Sequence, residues 1–161
     1  KNSDNPEAFD SHLVDDACLM MRDGKYWCYY KGRQLGKSPA QTTMGLAIAD
    51  RPQGPYVKHE ANPVVPGNHA VLAWPQGRGV AAMIGTTGPA DLINTVQYAR
   101  DGIHFTKLYD VKDGPQAGGA FRPEAFTGSN LGEPIQWGVE IAHEENELPY
   151  LRRYDVKWPE K

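Results

Sequence analysis

The chain has 161 residues, 40% of them hydrophobic and 23% charged, with a net charge of −3 from 17 basic and 20 acidic side chains. That length and composition suit one globular domain. No basic run stands out and no apolar stretch is long enough to cross a membrane, so neither nucleic acid nor bilayer is the expected partner, and a small neutral ligand fits better than a polyanion.

Gly (17) and Pro (13) punctuate the chain every few residues, and helical periodicity is hard to find. Between them lie short runs of strand type. In chain order they are ACLMMR, KYWCYYK, MGLAIA, GPYVKH, VLAWP, GVAAMIG, NTVQYA, HFTKLY, IQWGVEIA and PYLRRYDV. Many short strands separated by turn residues point to an all-β sandwich, barrel or propeller.

Asp23-Gly24 reads as the two-residue turn of the first hairpin. Residue 22 then pairs with 25 and residue 19 with 28. Cys18 falls diagonally to Cys28 on the opposite face, which argues against a disulfide between them. Two buried thiols leave the compartment open, periplasmic or cytoplasmic. The chain starts on Lys1 rather than Met, and no leader is legible in it.

The turn glycine recurs. Gly24 in RDGKYW, Gly77 in PQGRGV and Gly132 in LGEPIQW are spaced by a little over 50 residues, the repeat length of a four-stranded propeller blade. The expected blades are residues 12–60, 61–112 and 118–158. Three blades cannot close a ring, since propellers use about four to eight. The expectation is therefore the C-terminal part, about three blades, of a larger propeller. Its remaining blades would lie upstream in the same protein or come from another chain, and a homodimer stays open. The three blades alone are not expected to fold as a stable monomer.

Eight residues before each turn glycine stand Asp16, His69 and Glu124. Each marks the start of a first strand, and in a propeller the first strands line the central channel. A carboxylate, an imidazole and a second carboxylate would thus converge on one concave place, as acid/base chemistry requires. Singly, each has a plainer reading. An Asp before a strand, Asp15 above all, is usually a turn residue accepting a backbone N–H. His69 alone would be a solvated loop residue, and Glu124 could pair with Arg122. The shared register is what favours a site.

These residues bring a family resemblance with them. DGKYW followed by YYKG resembles the hairpins of five-bladed propeller glycosidases, families 43 and 117 among them. The longer pattern VDDACLMMRDGKYWCYYKGRQ, MGLAIADRPQGPY, NPVVPGNHAVLAWPQGRGV, GAFRPEAF and the WGV and AH of WGVEIAH resembles glycoside hydrolase family 117 from Asp15 to Asp155. The NHAVLAWPQG segment is the most specific part. The resemblance implies an inverting α-1,3-(3,6-anhydro)-L-galactosidase, which removes 3,6-anhydro-L-galactose from the non-reducing end of neoagaro-oligosaccharides in agar breakdown. It implies His69 as general acid and Asp16 as the carboxylate that tunes and orients it. The general base, a further Asp, would sit in a blade before residue 1. Histidine titrates near neutrality and can both hold and release a proton, and a nearby carboxylate would stabilise its imidazolium.

In the family pattern a Glu follows the acid histidine, whereas Ala70 stands here. That departure marks a divergent subgroup or a substitution, and it bears on activity and linkage. Substrate contacts are expected from Trp74, Glu124 and Arg122, with Trp27 and Trp137 better placed for blade packing. No cofactor is required. A divalent cation near the axis, held by His143, is an option, and a surface role for His143 beside Glu144 is the other. The competing readings are an arabinan- or xylan-directed propeller glycosidase, which would carry a Glu in place of His69, and a non-catalytic sugar-binding propeller.

Overall fold

The structure, a computed structural model, describes residues 1–67, 71–85, 88–112 and 119–158. It is all-β, with eleven strands among the described residues arranged in three antiparallel sheets. The first sheet has the order β1 (Leu13–Arg22), β2 (Lys25–Arg33), β3 (Thr43–Ala49) and β4 (Val57–Lys58). The second runs β5 (Leu72–Gln76), β6 (Gly79–Ile84), β7 (Thr95–Ala99) and β8 (Thr106–Asp110). The third has β10 (Trp137–Ala142) in the middle, flanked by β9 (Gly119–Ala120) and β11 (Tyr150–Asp155). Each sheet is a meander, and sheets of 4, 4 and 3 strands are the blades of a partial propeller.

The first hairpin has the expected register, with Arg22 opposite Lys25 and Leu19 opposite Cys28. Asp23 (φ 50) and Gly24 (φ 70) both occupy the left-handed region, the signature of a type I′ turn, whose twist matches that of the strands. Cys18 lies opposite Tyr29, and both cysteines are free thiols.

The blades pack face to face through two apolar cores. Met20, Trp27, Tyr29 and Leu46 of the first blade meet Ala73, Val80, Ala82 and Ile84 of the second. Trp74, Met83 and Val96 of the second meet Ile135, Trp158 and the third blade. The first strands β1 and β5 lie against each other, and a short 3-10 helix, Pro123–Phe126, packs across both. That seam between first strands is where the candidate site lies.

The third blade departs from the expected repeat. Among the described residues its first strand is Gly119–Ala120, and a connection of residues 121–136 precedes β10. Gly132 is not a hairpin turn. It forms a two-way backbone bridge with Gly77, Gly77 N–H donating to the Gly132 carbonyl (2.7 Å) and Gly132 N–H to that of Gly77 (2.9 Å). A Cβ at Gly132 would run into the Pro75 carbonyl, so glycine is needed there for close approach. Glu124 consequently starts no strand. It stands in the 3-10 helix, which the connection nevertheless brings onto β1 and β5.

Candidate active site

The paired aspartates at the start of β1 occupy a β-bulge. Asp15 lies opposite Lys31 and Cys18 opposite Tyr29, so Asp16 and Ala17 share a single partner, Tyr30. Asp16 itself is in the left-handed region (φ 50). Aspartate tolerates that region better than most residues, because its short side chain can bond locally. In a regular strand, neighbouring side chains point to opposite faces. The bulge breaks that alternation, and both carboxylates reach one amine. Lys31 Nζ lies 2.6 Å from Asp16 Oδ2 and 2.9 Å from Asp15 Oδ1.

The exposures of this triad differ. The Lys31 side chain is 10% exposed, whereas those of Asp15 and Asp16 are 45% and 43% exposed. The amine lies beneath and the carboxylates stand between it and solvent. Burial alone would lower the Lys31 pKa, but hydrogen bonds and charge from Asp16 and Asp15 outweigh it, and the amine is held above the usual lysine range. Sequence reasoning missed Lys31. A lysine closing the run KYWCYYK reads as a solvent-facing end, and only the bulge opposite gives it a buried function.

Arg122 is a strut between blades. Its Nη1 donates to the backbone carbonyls of Leu19 and Ala73 and reaches Cys18 Sγ, each at 3.1 Å. The guanidinium thus ties β1 to β5. Burial raises the Cys18 thiol, and Arg122 and the Ala73 carbonyl only partly offset this. Glu124 is half-buried in the 3-10 helix beside these strands.

The expectation for Trp74 is corrected. Its ring is 1% exposed, packs against Trp158 with centroids 6.2 Å apart, and donates Nε1–H to Gln76 Oε1 at 2.8 Å. It belongs to the packing between the second and third blades and offers no open face to a sugar. Trp27 likewise is core. His143, just past β10, is exposed. Among the described residues no group of three or more His, Cys, Asp or Glu is placed to hold a metal ion. His69 and Ala70 lie outside the described residues, just ahead of β5.

No family model matches the chain, and no curated protein matches it. Among solved structures it is similar to Zg3597, a family 117 glycoside hydrolase produced by the marine bacterium Zobellia galactanivorans. The two are 30% identical, with a TM-score of 0.76 over 94% of this chain. The likeness to glycoside hydrolase family 117 holds in sequence and in fold alike. The chain spans 43% of the length of that family 117 protein.

Proposed function

We propose that this chain is part of an inverting glycoside hydrolase that removes 3,6-anhydro-L-galactose from the non-reducing end of neoagaro-oligosaccharides. The observation that supports it most is the bulged, half-exposed Asp16 on the first strand of a blade, in a chain similar over 94% of its length to a family 117 hydrolase. A carboxylate held by a buried cation is already oriented before a ligand arrives, which is what a reacting group needs.

Hydrolysis with inversion requires a proton donor at the leaving oxygen and a base that activates water on the opposite side of the sugar. In this reading His69 donates the proton. Asp16 orients the acid and stabilises its charged form. The base, an Asp by family resemblance, belongs to another blade. Glu124, carried to the β1–β5 seam by its 3-10 helix, is a candidate partner for a sugar hydroxyl.

The test uses the complete protein. His69→Ala should lower turnover of neoagarobiose by roughly two to four orders of magnitude, the span for a positioned general acid. Substrate affinity should change far less, because the proton moves mainly in the transition state. A glycoside with a good leaving group needs little protonation and should recover most of the lost rate. Near-normal turnover of the natural sugar by His69→Ala would reject the acid assignment and favour a non-catalytic sugar-binding propeller.

A further inference from the structure

Lys31 has no part in the reaction as read so far, yet three independent features of the fold converge on it. The first is burial. The residue is 8% exposed, deep enough that its charge must be compensated within the protein. The second is geometry. One Nζ bridges two carboxylates, at 2.6 Å to Asp16 and 2.9 Å to Asp15. The third is the backbone of β1, which inserts an extra residue and places Asp16 in the left-handed region so that both carboxylates face the amine.

We propose that Lys31 is a positioning residue of the hydrolytic site, whose ammonium group fixes the Asp16 carboxylate toward the sugar with Asp15 as a brace. The proposal rests on the reading of Asp16 given above. Each aspartate uses one oxygen for Lys31, Oδ2 of Asp16 and Oδ1 of Asp15, and both side chains remain nearly half exposed. A carboxylate pinned by one oxygen can present the other to a substrate hydroxyl or to the acid. Two adjacent aspartates without the amine would repel each other and sample several rotamers. With it they share one counter-charge and one orientation.

A purely structural role does not account for the arrangement. Buried ion pairs seldom add stability beyond what apolar side chains of equal volume supply. An aspartate in the left-handed region and an interrupted ladder are both costs. Such costs are typical of places where a side chain must be aimed.

Steady-state kinetics of the complete protein on neoagarobiose test this, with circular dichroism to establish folding. The variants are Lys31→Met, Lys31→Arg, Asp16→Asn and the double variant Lys31→Met/Asp16→Asn. Lys31→Met should lower kcat by about 10- to 100-fold, the scale of a misplaced reacting group, with little change in KM. Lys31→Arg keeps a cation within reach of both aspartates and should recover most of that loss. The double variant should be no slower than Asp16→Asn alone, because Lys31 acts through Asp16. Should Lys31→Met fail to fold, Lys31→Gln is read by the same criteria. Unchanged kcat in the neutral Lys31 variant, or losses that multiply in the double variant, would overturn the proposal while leaving the role of Asp16 intact. Unchanged turnover in Asp16→Asn would instead overturn the functional reading beneath it.

Discussion

Lys31 joins what the sequence shows to what it hides. Asp15-Asp16 before an apolar run is visible at once, and the repeat arithmetic marks Asp16. The lysine that holds them is 15 and 16 residues away and becomes their partner only through the β1–β2 pairing and its bulge. A stability asymmetry follows. Replacing both aspartates with asparagine leaves a charge that is 10% exposed without an anion, at a cost of about 3–5 kcal/mol. Lys31→Met should cost clearly less, because the two carboxylates it abandons are nearly half exposed and remain hydrated. Urea unfolding of the complete protein measures both, and equal losses would contradict the account. The pH dependence has a definite sign. The folded Lys31 pKa is raised, so the clamp is fully present below roughly pH 10.4, where an unfolded lysine titrates, and is lost as pH climbs through the higher folded value. The difference in Tm between wild type and Lys31→Met should be flat from about pH 6 to 9 and shrink above about 10.5. A difference that vanished between pH 6 and 8 would contradict it.

The strands and turns were more legible than the connections. Alternating apolar patterns and a two-residue turn carry local information, so the first hairpin register follows from Asp23-Gly24 alone. The second hairpin turns at Gly77 (φ 52), again as its glycine implies. The third blade misled because its glycine serves a contact rather than a turn. Its connection laces the other blades instead. Asn130 bonds Asp23 in the first hairpin turn (Nδ2 to Oδ1, 2.6 Å), and Gly132 bridges Gly77 in the second. Gly132→Ala should therefore destabilise the protein by about 1–3 kcal/mol, since relieving the overlap with the Pro75 carbonyl means breaking that bridge. Thermal unfolding checks this, and a neutral result would show that the connection yields without cost. Trp74 misled for a related reason. Alternation marks which strand it is on but not that Trp158, far along the chain, covers its ring.

Across the whole molecule, only the middle blade is packed between two others, and the third keeps one face open. Along β10, Gly138, Glu140 and Ala142 are buried while Val139 and Ile141 are exposed, and Leu151 of β11 adds to the same apolar region. A blade face of this kind is built to be packed against. The 161 residues alone should accordingly self-associate, and light scattering after gel filtration should find species larger than a monomer. A proven monomer with a cooperative unfolding transition would contradict that. The all-β partial propeller was legible because a repeat of about 50 residues is a property of the entire chain, robust to errors in any one strand. The candidate site was legible only in outline, as a register of titratable positions, because side-chain partners are set by strand pairing within a blade and by contacts between blades. The proposed function of these blades is hydrolysis of an anhydro-sugar linkage. Proton NMR of neoagarobiose incubated with the complete protein tests it most directly. The wild type should release 3,6-anhydro-L-galactose and galactose, and Asp16→Asn should lose most of that release. An intact disaccharide in the presence of folded wild-type protein, or equal release by both, would contradict it.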